Sequence, residues 1–418
     1  MADALATSRS VYEQLVAVTG EPTVAMRAWN GEVWGPPEAP ATIVLNHPGA
    51  LRALLLPPSD LTAGEAYIYD DVDIEGSIFE VLRFAATLQS MPGRRLTSLR
   101  MFRRLRTLPA QNRRSTHARP KTKGRLHSKR RDKASVSAQY DTGNDFFRQF
   151  LDPEMVYSSG VFLDPAEPLE TAQRRKIDLI CRKLQLQSGQ RLLDIGCGWG
   201  TLAIHAAQHY GVKVMGVTLS APQVEWAISA AKEAGVSDRV SFGLLDYRDV
   251  DGRHDAIASI GMFEHVGKGQ LARYFSRVRD LLEPGGAFLN HGIVNRDRRS
   301  GRTTPTFINT YVFPDSNLVT VDEVVAQAED AGFELRDAES LRTSYALTLR
   351  HWVDNLEANH QVAVDTVDET TYRIFRLYMA GSAVAFDSAA VSVYQLLLRT
   401  VNRPWTYGRR HLLATDDQ

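Results

Sequence analysis

Cysteine is scarce in this chain: Cys181 and Cys197 are the only two in 418 residues. That excludes a disulfide framework as the source of stability and makes a reducing, cytoplasmic setting the expectation. Long apolar runs are missing too. None reaches the roughly 20 residues a membrane-spanning helix needs, and the N-terminus lacks the basic-then-apolar pattern of a signal peptide. Any membrane contact is therefore expected to be peripheral, at the inner face. No internal repeat is evident, and no metal site is expected. There is no excess of charge of either sign, with 49 Lys and Arg against 49 Asp and Glu.

The charges present are unevenly spread. Residues 1 to 90 carry twelve Asp and Glu against Arg9, Arg27, Arg52 and Arg83, whereas Arg94 to Lys133 carry sixteen Lys and Arg against the single acid Asp132. With 44% hydrophobic residues the chain can bury substantial cores, and its length suggests two or three domains. Ala41 to Leu56 alternates strand-like and helix-like pieces around Asn46-His47-Pro48-Gly49, and Ile78 to Leu88 has helical apolar spacing. These read as a small α/β domain over 1–108. Residues 109–134, rich in Arg, Lys, Ser, Thr and Pro, have little to bury and read as a basic, mobile linker. Residues 135–418 form the third part. Lys and Arg each add about 1 kcal/mol of attraction near an anionic bilayer, which favours a membrane surface for the linker. Nucleic acid is disfavoured, since the run lacks interleaved aromatics and the acidic first part repels phosphate.

From Ser135 onward strand and helix patterns alternate, the signature of a parallel sheet with helices on both faces. Strands are predicted over Arg191–Ile195, Lys213–Thr218, Val240–Leu245, Ala256–Ile260 and Ala287–His291, with helices over Thr201–Tyr210, Ala221–Ala234 and Gln270–Leu282. Leu192-Leu193-Asp194-Ile195-Gly196-Cys197-Gly198-Trp199-Gly200 runs from a strand through a glycine turn into a helix, so the backbone can approach a ligand closely. Its G-x-G-x-G spacing, with Asp194 ahead of the first glycine, suits S-adenosylmethionine (SAM) better than a dinucleotide. Ligands of such sheets sit outside the carboxyl ends of the strands. The residues there are polar: Asp194, Thr218 and Ser220, Asp246 and Tyr247, Glu264 and His265, and His291. After the second strand, Val217-Thr218-Leu219-Ser220, with Gln223 one turn on, offers neutral groups where an acid usually grips the ribose.

Tyr140-Asp141-Thr142-Gly143-Asn144-Asp145, Met155-Val156-Tyr157-Ser158-Ser159-Gly160-Val161-Phe162, Leu245-Asp246-Tyr247-Arg248-Asp249 and Gly261-Met262-Phe263-Glu264-His265-Val266-Gly267 join the glycine turn in order. On these motifs the chain resembles the cyclopropane fatty acid synthases and, more distantly, the mycolic acid cyclopropane synthases, which are SAM-dependent methyltransferases with a Rossmann-like sheet. The resemblance covers about Ser135 to Arg399, and loosely Gly64-Glu65-Ala66-Tyr67 and Asp73-Ile74-Glu75-Gly76. It implies methyl transfer from SAM to a cis double bond of a membrane phospholipid acyl chain through a carbocation, with bound bicarbonate as the base that closes the ring. It also implies a bicarbonate pocket of Ser159, Glu264, His291, Ile293 and Tyr345, in which Glu264, His291, Tyr345 and Ser159 are catalytic. The implied SAM site comprises Tyr140, Tyr157, Ser158, Asp194, Gly196, Gly198, Gly200, Thr218, Leu219, Gln223, Asp246 and Tyr247. A homodimer is implied as well. Many family members have cysteine where Ser159 stands, which leaves open a methylene-branched product that a separate reductase partner converts to a methyl branch.

Each assignment has a plainer rival. Asp194 could cap its turn, Glu264-His265 could be a solvated pair, and a lone His291 in an apolar strand is most often a core residue. Tyr345 could be packing, Cys197 is a small residue that fits the loop, and Trp199 is core or cofactor wall. Tyr372 to Ala390 is helical by pattern. Its face of Phe375, Leu377, Tyr378, Met379, Ala380, Ala383 and Phe386 is mostly core, with some positions expected along an acyl tunnel. A methyltransferase of soluble metabolites has little need of the first part or the basic run. A nucleic-acid methyltransferase would carry a different tetrapeptide in place of Met262-Phe263-Glu264-His265.

Overall fold

The structure, a computed structural model, describes residues 2–20, 23–90, 94–110, 128–132, 140, 142–297, 306–314 and 318–400. Most of the expected linker lies outside the described residues. Its described end, 128–132, is a helical turn whose Asp132 receives a 2.9 Å hydrogen bond from Arg248. The chain forms two compact units, of which the first takes in 1–121, 304–314 and 360–384 and the second the rest.

In the first unit α1 (Ala2–Thr19) precedes β1 (Ala25–Arg27), β2 (Val33–Trp34), β3 (Ala41–Leu45), α2 (Ala50–Leu55), α3 (Asp60–Ile68), β4 (Val72–Gly76), α4 (Ile78–Ser90) and α5 (Arg94–Thr107). The strands form one sheet in the order β2-β1-β3-β4. Buried Ala41, Ile43 and Leu45 alternate with half-buried residues along β3, the period-2 pattern of a sheet with one covered face. Leu105 and Leu108 are buried and anchor the end of α5, while Arg100, Phe102, Arg103 and Arg106 are exposed. The Gly64-Glu65-Ala66-Tyr67 segment is a packing knot. A Cβ on Gly64 would stand 2.2 Å from the ring of Phe307, and the Tyr311 hydroxyl donates to Glu65 at 2.8 Å. Arg376 donates to the Tyr67 hydroxyl at 2.8 Å and Arg373 to the Tyr67 carbonyl at 3.0 Å. Reading 135–418 as one domain thus departs from the contacts: most of the helix Glu369–Asp387 belongs to the first unit. Phe375, Tyr378, Met379, Ala380 and Ala383 on it are buried.

The second unit runs through α6 (Asn144–Phe147), α7 (Leu169–Leu184), β5 (Arg191–Ile195), α8 (Thr201–Tyr210), β6 (Lys213–Thr218), α9 (Ala221–Glu233), β7 (Val240–Leu244), β8 (His254–Ile260), α10 (Leu271–Asp280), β9 (Leu282–Asn295), α11 (Val321–Asp330), β10 (Phe333–Ser340), α12 (Arg342–Ala358) and β11 (Val391–Thr400). Its seven-stranded sheet has the order β10-β11-β9-β8-β5-β6-β7. The expected α/β layering is present because side chains alternate across the sheet. Leu192, Ala256, Ala258 and Leu289 pack with α7 and α8 on one face. Leu193, Ile195, Ile257 and Phe288 pack with α10 and α11 on the other.

The sheet is not wholly parallel: β11 runs antiparallel to both β9 and β10. This pairing also lengthens β9 beyond the predicted Ala287–His291. His291 lies inside the strand, opposite Gln395, because β11 continues the ladder after the parallel pairing with β8 has ended at Ile260 and His291.

Candidate functional site

The carboxyl ends of β5 and β6 set the turn. Gly196 and Cys197 donate their amides to the Val217 carbonyl at 2.8 and 3.1 Å, which pins the loop against β6. Gly196, Gly198 and Gly200 have φ of 78°, 54° and 90°, left-handed values that favour glycine. At Gly198 a Cβ would meet nothing within 4 Å, so the bare backbone faces open space. At Gly200 it would meet Phe242 at 2.7 Å and Ala227 at 2.9 Å, so that glycine allows close packing behind the loop.

In front of the turn is a cavity of about 180 Å³. Its lining contains Tyr140, Tyr157, Ser158, Asp194, Gly196, Gly198, Thr218, Leu219, Gln223, Asp246 and Tyr247, and does not contain Gly200. The neutral groups after β6 are linked: Thr218 donates to the Gln223 carbonyl at 2.7 Å, and Gln223 bonds the Tyr140 hydroxyl. Burial pushes Tyr140 up to about 12, so its hydroxyl keeps its proton. Asp246 is engaged by Arg248, through the backbone amide at 2.9 Å and the guanidinium at 2.8 and 2.6 Å. Burial opposes its charge, yet those bonds outweigh it and hold the carboxyl below its ordinary range. Tyr247, raised to about 12 by burial, stands edge-on to Tyr274 at 5.6 Å.

Aromatic rings crowd one end of the cavity. Trp199 lines it and donates to Asn144 at 2.8 Å, with its ring 5.8 Å from Tyr140 and 5.2 Å from Phe147. Tyr157 lies 5.3 Å from Phe147 and 5.1 Å from Trp352. Ring faces of this kind attract cations.

Ser159, Glu264, His291, Ile293 and Tyr345 lie outside the lining of that cavity, although Gly261, Met262, His265 and Val266, which flank Glu264, belong to it. Glu264 accepts the Ile293 amide at 2.7 Å through Oε1, while Oε2 is buried without a partner among the described residues. Burial pushes its carboxyl up to about 7, against the pull of the backbone bonds. His291 is driven down to about 3 by burial, aided by the positive charges of Lys176 and Lys183, and is neutral. The Gln395 amide lies 3.3 Å from Nδ1 of His291, and Nε2 has no partner among the described residues. If the amide donates to Nδ1, the ring proton sits on Nε2. The Ser159 hydroxyl donates to the Gly160 carbonyl at 2.8 Å. The Gly160 amide donates to Thr348 of α12 at 2.9 Å, which ties this segment to the helix carrying Tyr345. Tyr345 is buried 4.7 Å from the Phe386 ring.

Several residues at or beside the site escape the motif reading: Lys176, Gln173, Phe147, Trp352 and Gln395. One had a visible signal. Lys176 falls on the same face of its helix as Leu169, Ala172, Ile177 and Ile180, a charge inside an apolar stripe.

A family model described as mycolic acid cyclopropane synthetase matches residues 127–396. A probable fatty acid methyltransferase of Pseudomonas putida is 37% identical over 377 residues, covering 89% of this chain and 90% of that protein. The cyclopropane-fatty-acyl-phospholipid synthase of Escherichia coli strain K12 is 38% identical over 272 residues, covering 65% of this chain and 69% of that protein. Among solved structures, mycolic acid cyclopropane synthase CmaA1 complexed with S-adenosylhomocysteine (SAH) and CTAB has a TM-score of 0.61 at 34% identity, covering 64% of this chain and 98% of that one.

Proposed function

Because the chain belongs to the mycolic acid cyclopropane synthetase family, a family of SAM-dependent methyl transfer to lipid acyl chains, we propose that it methylates the cis double bond of an unsaturated phospholipid acyl chain and closes a cyclopropane ring. SAM supplies a methyl group on positively charged sulfur, and the cavity suits it. Gly198 leaves room for a close backbone approach, Thr218, Gln223 and Tyr140 offer neutral partners to a ribose, and Trp199 and Tyr157 present rings to a cation. An alkene cannot be activated by deprotonation. The protein must instead hold it in line with the methyl and stabilise the carbocation that results.

The observation that carries the ring-closing part is the pair of orphaned buried atoms, Glu264 Oε2 and His291 Nε2. They suit a small anion of the bicarbonate type: a neutral imidazole donates one hydrogen bond, and a carboxyl near 7 shares a proton. The Ser159 hydroxyl and Tyr345 complete the proposed set, and the Ile293 amide joins it if Glu264 releases it. Bicarbonate would supply a base for the proton lost on ring closure. Among the described residues no helix is long and apolar enough to cross a membrane. We place the protein at the membrane surface through the exposed arginines of α5 and the basic run after it.

The Pseudomonas putida relative is named a probable fatty acid methyltransferase and not a ring-forming synthase, and the second reading is a methylene-branched product that a separate reductase would complete. Incubation with SAM and liposomes of unsaturated phospholipid, followed by mass and NMR analysis of the fatty acids, separates these. A gain of one methylene in mass with upfield ring protons is expected. Terminal methylene signals would select the second reading, and unmodified acyl chains would refute both.

A further inference from the structure

A single amide stands among apolar neighbours inside the seven-stranded sheet. Gln395 lies mid-way along β11 and is fully buried, and Val393 and Leu397, which share its face of the strand, are buried and apolar. Strand pairing sets it opposite His291 of β9 on one side and Glu339 of β10 on the other. Its Nε2 lies 3.3 Å from His291 Nδ1, and its Oε1 is buried without a partner among the described residues. Packing does not call for this residue, since a leucine would fill the place without leaving an unpaired oxygen in the core. Glu339 does not compete for the amide, because its carboxylate is taken by the buried ammonium of Lys183. Among the described residues Gln395 is the one side chain within hydrogen-bond reach of the His291 ring.

We propose that Gln395 is a positioning residue: its amide donates to Nδ1 of His291 and so fixes the ring proton on Nε2, which makes that nitrogen a donor to the anion beside Glu264. The donor role rests on the bicarbonate reading, whereas the hold on the ring does not. A neutral imidazole has one donor nitrogen and one acceptor, and the partner of one decides the state of the other. Were the amide turned about, its oxygen would take the Nδ1 proton and leave a bare lone pair at Nε2. A lone pair repels an anion and leaves it buried without its hydrogen bond. With Nε2 protonated, the ring cannot itself accept the proton lost on ring closure, and that work falls to the anion.

The test is nitrogen NMR of the full chain labelled at its 11 histidines, with the His291 signals identified by their absence from His291→Gln. In the native chain Nδ1 should be bare and Nε2 protonated. Gln395→Glu should protonate Nδ1, and Gln395→Leu should release the ring to a mixture of the two neutral tautomers. A native ring protonated at Nδ1, or a ring protonated only at Nε2 in both variants, would overturn the proposal. A second arm measures turnover on degassed vesicles of unsaturated phospholipid with SAM and added bicarbonate. Gln395→Leu should need about 10- to 100-fold more bicarbonate for half-maximal turnover, the range for partners that orient a ligating histidine, with SAH affinity within about twofold. An unshifted bicarbonate response, or equal losses for bicarbonate and SAH, would overturn the donor role. Native turnover indifferent to bicarbonate would sink the bicarbonate reading instead, and the NMR arm, which uses no lipid, SAM or anion, still decides the hold on the ring.

Discussion

Glu264→Gln should make the protein more stable above neutral pH while removing turnover. The side chain is 7% exposed and its carboxyl is raised from 4.5 to about 7 by burial. A group raised in this way binds its proton more tightly in the folded state, so the folded protein holds more protons than the unfolded chain between those values. The resulting stability is full below 4.5 and is lost as pH rises through 7. At 1.36 kcal/mol for each tenfold, the ionised carboxylate costs roughly 3 kcal/mol at high pH, of which roughly 2 kcal/mol develops between about pH 5.5 and 8.5. Glutamine does not ionise and can still accept the Ile293 amide that Glu264 accepts at 2.7 Å. Urea unfolding of both proteins at the two pH values should show the variant gaining roughly 2 kcal/mol on the native chain as pH rises. Turnover on vesicles should fall by roughly two to four orders of magnitude, the usual range for a lost acid–base group, with SAH affinity changed less than about threefold. A pH-independent stability difference would refute the burial argument. Retained turnover, or equal losses in turnover and SAH affinity, would refute the proposed work on the base.

Two glycines of the loop should separate packing from binding. Gly200→Ala forces a methyl toward Phe242 and Ala227, which should cost about 1–3 kcal/mol in thermal or urea unfolding beyond the left-handed backbone penalty of about 1–2 kcal/mol. Gly198→Ala carries only the left-handed backbone penalty of about 1–2 kcal/mol but should lose SAH affinity in titration, and a fully binding variant would place the ligand elsewhere. Replacing Arg100, Arg103 and Arg106 with Gln should weaken binding to anionic vesicles by about 3 kcal/mol, roughly 100-fold at low salt. Sedimentation with neutral vesicles should show no such change, and an unaltered anionic partition would remove α5 from the membrane surface.

The parts of this fold that obey a short period were legible. Strands β5 to β8 and helices α8 to α10 fall within a few residues of their predicted spans, because each buries one face or stripe that repeats at 2 or 3.6 residues. The last part of the sheet was not, since β11 lies between β9 and β10 and pairs with segments about 60 and 100 residues earlier in the chain, which no local pattern encodes. The placing of Glu369–Asp387 mostly in the first unit is hidden for the same reason: its apolar face reads alike whichever core it enters. In the site, glycine spacing and strand-end polarity led to the cavity wall. The states of the residues depended on tertiary facts. Asp246 is held by the neighbouring Arg248, and His291 is neutral by burial, and local sequence encodes neither state.

On the proposed reaction the protein faces a cation that any exposed nucleophile would trap before a proton could leave. Water is the first competitor, and the half-buried ring of Tyr157 and the buried ring of Trp199, both on the cavity wall, oppose its entry while presenting π faces that favour positive charge. Side chains are the second, and each is blunted in its own way. His291 has Nδ1 beside the Gln395 amide, and its other nitrogen bears the proton when that amide donates. The Ser159 hydroxyl is turned toward the Gly160 carbonyl, and Cys197 is a buried thiol raised well above its ordinary range by desolvation, so it stays protonated. Glu264 is an acid able to ionise near neutrality, and its Oε1 is occupied by the Ile293 amide. A site built in this way stabilises the cation without capturing it. The choice between ring closure and a methylene branch then rests on which proton lies nearest the base, a matter of where the acyl chain is held relative to Glu264 and His291.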